Sequence, residues 1–110
     1  MTVRSVCIFR YHSSVGISGD LYTVPDGYTL LFKDIRVYNG GASANLMTIG
    51  ARAQEASSSL PLFSQSVPAT AVASQTLWTV LKPGDTLTMT SGALDTWVWL
   101  SGSLLLGVAP

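Results

Sequence analysis

One histidine, His12, stands beside Tyr11 at the end of "TVRSVCIFRYH". A Ser-His-Asp hydrolase would have to recruit it, yet the chain holds no G-x-S-x-G elbow or comparable nucleophile context. His12 therefore reads as a partly exposed strand histidine. Metal centres need His, Cys, Asp or Glu in clusters, whereas Asp20, Asp26, Asp34, Asp85 and Asp95 are dispersed without D-x-D spacing. Asp20, Asp26, Asp85 and Asp95 fall in turn signals, where Asp bonds its own backbone. Glu55 is the sole glutamate and lies in the polar loop "QEASSSLP", so a glycosidase pair would need two aspartates to meet through the fold. Cys7 is single, which excludes an internal disulfide and suits a small apolar packing role. "NGG" at Asn39 to Gly41 has no helix after it and reads as a hairpin turn rather than a phosphate loop. The expectation is no enzyme, no metal and no cofactor.

Binding is a better prospect, because of the tryptophans. In "DTWVWLSGSLLL", Trp97 and Trp99 point to one side of an extended strand, and Val98 and Leu100 to the other. One use is a stacking platform for sugars, with Asp95 and Ser101 supplying hydrogen bonds on the same side. The other is a strand whose one face packs the core while the other packs a neighbouring subunit. The second is favoured because the shortage of charge is global rather than confined to one patch. Trp78, in "SQTLWTVL", joins Trp97 and Trp99 as a candidate interface residue.

The elements that must position these residues are strands. Short runs rich in Thr, Val, Leu, Ile, Tyr and Trp alternate with Gly, Pro, Asp and Ser. "TVRSVCIFRYH" places Val3, Cys7, Phe9 and Tyr11 on one side. "SSVGISGD" reads as a loop before the short strand "LYTV", and "PDG" as a turn. In "YTLLFKDIRVYN" the apolar phase slips at Lys33-Asp34, and a β-bulge there would turn Leu30, Phe32, Ile35 and Val37 all inwards. "ANLMTIGARA", "LPLFSQSV", "SQTLWTVL" and "TLTMTS" follow, with "KPGD" and "SGALD" as turns, and "TWVWLSG" and "SLLLGVA" close the chain. "SGDLYTV" and "PGDTLTM" echo each other faintly. The expected fold is all-β, a jelly-roll-like antiparallel sandwich of roughly eight strands in one domain spanning residues 1–110.

Six basic residues balance six acidic ones, and charged residues make up 11% of the chain, against about 25% in an ordinary domain. A free monomer with so little charge stays dispersed with difficulty, which argues that other protein covers much of the surface. Arg4, Arg10, Lys33, Arg36, Arg52 and Lys82 are scattered along the sequence; nucleic acid, which needs a basic patch, is not expected as a partner. No apolar run approaches the roughly 18 residues of a membrane span. The apolar stretch between Arg4 and Arg10 is too short for a signal peptide, so synthesis in a cytoplasm is expected.

"YTVPDGYTLLFKDIRVYNGG", "LWTVLKPGDTLTMTSG" and "VWLSGSLLL" resemble small all-β structural proteins of tailed bacteriophages, particularly minor tail or decoration proteins of phages infecting actinobacteria. The pattern is a strand ending in V-P-x-G, a long strand K-D-I-R-V-x-N, a P-G-D turn before an alternating strand, and a final V-x-[VL]-S-G. The resemblance covers most of the chain from Tyr22 to Leu106. It implies a jelly-roll-like sandwich in the virion: a tail or collar component or a capsid decoration protein, made in the host cytoplasm, assembled as a homo-oligomer, with a trimer favoured, and bound to other virion proteins. The chain lacks the stalk of a long fibre. The alternative is a carbohydrate-binding module of the virion that contacts the host surface.

Overall fold

The computed structural model describes residues 6–56 and 58–106. Eight strands account for most of them: β1 (Val6–Ser13), β2 (Ile17–Thr23), β3 (Tyr28–Asn39), β4 (Asn45–Arg52), β5 (Leu60–Val67), β6 (Ala71–Leu81), β7 (Thr86–Ser91) and β8 (Thr96–Leu106). They form two four-stranded antiparallel sheets, sheet A in the order β1-β8-β3-β6 and sheet B in the order β2-β7-β4-β5. The pairing is nested: β1 with β8, β2 with β7, β3 with β6, β4 with β5. The chain is thus one long hairpin rolled into two layers, and the β3–β8 and β4–β7 ladders complete each sheet. This is a jelly roll. Only the β4–β5 link joins two strands of the same sheet; every other link crosses between layers.

Alternation explains the core. Leu30, Phe32, Ile35, Val37, Val98 and Leu100 of sheet A meet Met47, Ile49, Phe63, Val67, Leu87 and Met89 of sheet B, all at most 2% exposed. The bulge expected in β3 is present: the register slips between Phe32 and Asp34 against both β6 and β8. Without that extra residue Ile35 and Val37 would face water, because a one-residue slip reverses every later side chain.

Several expectations are corrected. "ISGD" is the first half of β2, not loop, because it pairs with β7 from Ile17 onwards, and Gly19 supplies a φ of 135° in mid-strand. Asp20 consequently sits on a strand rather than in a turn. "TWVWLSG" and "SLLLGVA" are not two strands: β8 runs through Ser101-Gly102 because β3 pairs with it along its whole length, and Leu31 approaches Gly102 too closely to leave room for a Cβ. "NGG" is not a hairpin turn, since it leads from sheet A to sheet B and neither glycine has a positive φ. Asn39, fully buried, shapes that corner with its own side chain. Its Nδ2 donates to the carbonyls of Ser43 and Val67 at 2.9 Å each, and its Oδ1 accepts the Gly41 N–H at 2.9 Å. Phe9 and Tyr11 do share a side, while Val3 and the Cys7 side chain lie outside the described residues.

The Pro-Gly turns hold as expected. In "KPGD" the Asp85 N–H donates to the Lys82 carbonyl at 3.0 Å with Gly84 at φ 88°, the position a type II turn reserves for glycine. The Asp85 carboxylate accepts the Lys82 and Gln54 N–H groups. Val24 then joins this turn to "PDG": its N–H donates to the Asp85 carbonyl and its carbonyl accepts the Gly84 N–H, both at 2.9 Å.

At the opposite end of the sandwich Gly40 donates its N–H to the Asp95 carbonyl at 2.9 Å, and a Cβ on Gly40 would lie 2.8 Å from that oxygen. Gly40→Ala is expected to lower stability by about 1–3 kcal/mol through overpacking, read as a shifted urea midpoint with an unchanged slope.

Candidate interaction face

The register of sheet A decides which side chains stand on its outer surface. Val98 and Leu100 are fully buried, so Trp97, Trp99 and Ser101 point outwards. Across the sheet, His12 of β1 and Tyr38 of β3 both pair with Trp97, while Arg10 and Arg36 both pair with Trp99. Asp34 pairs with Ser101, and on β6 Val72 pairs with Tyr38. Trp78, 71% exposed, stands on the edge strand β6 under the ammonium of Lys33, 4.9 Å from its ring centroid.

The rings form a column. His12 stacks on Trp97 with centroids 4.2 Å apart and planes 22° apart, and Trp97 lies beside Trp99 at 5.9 Å and 13°. The Asp95 carboxylate holds His12 through a hydrogen bond to Nε2. Asp95 lies outside the strand at φ 58°, a left-handed conformation that Asp tolerates better than most residues. Shallow cavities flank the column. One is lined by Trp99 with Asp34, Arg36, Val72 and Ser101; the other by Trp97, Trp99, Arg10, Tyr11 and His12.

Two consequences follow for the sugar platform. A ring inserted between the tryptophans would need a contact of about 3.5–4.0 Å on each side, so the 5.9 Å separation has no room for one. A sugar would instead have to lie against a ring from outside, as in the cavity that Trp99 lines with Asp34, Arg36 and Ser101.

The outer surface of sheet B differs in kind. Thr48 and Ser64 bond each other at 3.1 Å, Ser59 and Thr88 at 2.9 Å, and the Arg52–Asp20 ion pair is bidentate at 2.9 Å per bond. The Arg52 guanidinium holds the Asp20 carboxyl below the usual carboxylate range. Both charges are in contact with water, so salt and solvent screen the pair.

Sequence reasoning placed Trp97, Trp99 and Trp78 as candidates, and the fold brings all three to one outer face. It missed that Arg10, Lys33 and Arg36, scattered in sequence, gather there too. The missing signal was the nested pairing, which sets "FRYH" of β1 against "WVWL" of β8 and "IRVY" of β3 against the same stretch. Among the described residues no group of three or more His, Cys, Asp or Glu could hold a metal ion, and no helix is long and apolar enough to cross a membrane.

These features define a jelly-roll sandwich with one aromatic and one hydroxyl-lined outer surface. Among solved structures, it is similar to a chain of the capsid of Helicobacter pylori bacteriophage KHP30, with a TM-score of 0.52, 10% identity and 94% of each chain covered. It is similar also to a chain of infectious bursal disease virus, Gx strain, at TM-score 0.52 and 9% identity, covering 98% of this chain and 33% of that one. This chain thus spans about a third of the bursal-virus chain. A pentameric capsid protein from metagenomic phage sequences aligns at TM-score 0.48 and 17% identity, over 94% of this chain and 64% of its own. What is shared with the two chains of TM-score 0.52 is the fold. No protein-family description matches this sequence, and no curated protein matches it.

Proposed function

We propose that this chain is a structural component of a bacteriophage particle: an accessory piece of the tail or collar, or a decoration on the capsid. It assembles as a homo-oligomer, a trimer on the strength of the tailed-phage resemblance, and the outer surface of sheet A makes the contact. The observation that carries this reading is the asymmetry between the two outer surfaces. Sheet A displays Trp97, Trp99, Trp78 and Tyr38 with Arg10 and Arg36, and sheet B displays mainly hydroxyls, with Leu46 and the Arg52–Asp20 pair but no tryptophan. Interface cores are enriched in aromatic residues and Arg and depleted in Ser. A chain with 11% charged residues gains solubility by covering such a surface. The fold shared with the two viral chains of TM-score 0.52 supports a place in a virion. A non-catalytic role fits His12, whose Nε2 is engaged by Asp95 and whose ring is covered by Trp97.

Sedimentation velocity of the purified chain at micromolar concentration tests the oligomer. A species several times 11.6 kDa is expected; a well-behaved monomer contradicts self-assembly. A glycan array separates the competing carbohydrate reading. The expected result is no specific glycan. Binding that Trp99→Ala abolishes would replace the interface reading.

A further inference from the structure

Charge is not spread evenly over the folded molecule. Arg10, Lys33 and Arg36 gather on the outer surface of sheet A, where the acids are Asp34 and Asp95. Asp95 is engaged by His12, and the other described ion pair, Arg52–Asp20, lies on sheet B. Among the described residues neither Arg10 nor Arg36 has a carboxylate partner, and the two flank Trp99 from both sides. The opposite sign collects at one end of the sandwich, where the links β2–β3, β4–β5 and β6–β7 meet. Asp85 fastens these links together. Its carbonyl accepts the Val24 N–H at 2.9 Å, and its carboxylate accepts the N–H groups of Gln54 at 3.2 Å and Lys82 at 2.9 Å. On that frame Asp26 and Glu55 stand exposed, and Lys82 is the one cation of the three links. Two bare leucines accompany them. Leu60, 68% exposed, opens β5 directly after the β4–β5 link, and Leu106, 69% exposed, pairs with Tyr28 beside the "PDG" turn.

We propose that the aromatic face of sheet A receives this end of a second copy of the chain, the end that bears Asp26 and Glu55. The proposal rests on the reading that sheet A makes the oligomer contact, and it names what that surface meets. Face and end match in two ways. The arginines without partners on the face meet exposed carboxylates on the end, a pairing whose hydrogen bonds are charge-assisted. The tryptophans meet Leu60 and Leu106. Complementary potentials of this kind decide which surfaces come together. Two faces pressed together about a two-fold axis would leave the surplus of cations uncompensated, and two ends would set Asp26 and Glu55 against their like. Because face and end are different patches, the contact is heterologous, and repeated head to tail it closes into a ring. A ring of three is the trimer proposed above.

Charge reversal on each patch separates face from end. Arg10→Glu with Arg36→Glu reverses the face, and Asp26→Lys with Glu55→Lys reverses the end. All four residues are exposed, so both variants should keep the circular dichroism and urea midpoint of the wild type. If the end-reversed chain fails to fold, Asp26→Asn with Glu55→Gln takes its place and should show the same effect in smaller measure. In sedimentation velocity each reversed chain alone should associate about tenfold more weakly than the wild type or worse, because like charges then face each other across the contact. Mixed one to one, the two reversed chains should associate with each other, since each face then meets an end of opposite sign. An end-reversed chain that assembles like the wild type would overturn the proposal, as would a mixture no more associated than its separate components. Either result leaves the sheet A contact itself standing if Trp97→Ser with Trp99→Ser still abolishes assembly, so the two failures are distinguishable.

Discussion

Phe32→Ala should come close to unfolding this protein. Phe32 is fully buried at the β3 bulge, between the β6 and β8 ladders. Truncating a buried Phe costs about 3–5 kcal/mol, against a total stability of about 5–15 kcal/mol for a typical domain. The site is poorly placed to collapse, because its neighbours in register are Thr79 and the small Gly102. Chemical denaturation should show a midpoint shift of that size, and an unchanged midpoint would mean that the two sheets do not pack as described.

Trp97 and Trp99, next to the core residues Val98 and Leu100 in sequence, should behave in the opposite way. Trp97→Ser with Trp99→Ser should leave the sandwich folded, since both rings stand outside it and Trp97 is 37% exposed even in the isolated chain. The variant should lose assembly. A Trp near the centre of an interface contributes about 2 kcal/mol or more on truncation, so losing two weakens the contact by roughly a thousandfold. Analytical ultracentrifugation and circular dichroism together read the result. Unfolding would place the pair in the core, and a folded variant that assembles normally would remove this surface from the contact.

Local chemistry made much of the fold legible. Alternation and Pro-Gly turns marked the strands, and the parity slip at Lys33-Asp34 marked the β3 bulge before any pairing was known. The alternation at Trp97 to Leu100 separated the outward tryptophans from the core residues Val98 and Leu100. What could not be read was pairing at long range. "NGG" has the local chemistry of a hairpin, and only the partner of β3 shows that the chain leaves the sheet there, with Asn39 bonding a carbonyl 28 residues away. "ISGD" lacks strand composition and is held in β2 by β7, a case of tertiary context overriding propensity. The cations of the aromatic surface were invisible for the same reason: Arg10 and Arg36 flank Trp99 from strands remote in sequence.

The most direct test of the account is a cryo-electron microscopy map of the particles produced by the genome that encodes this chain. The expected map contains the jelly roll as a repeated subunit, with Trp97 and Trp99 buried against protein and the Thr48–Ser64 surface of sheet B facing solvent. Particles without this chain, or with Trp97 and Trp99 open to solvent, would contradict it.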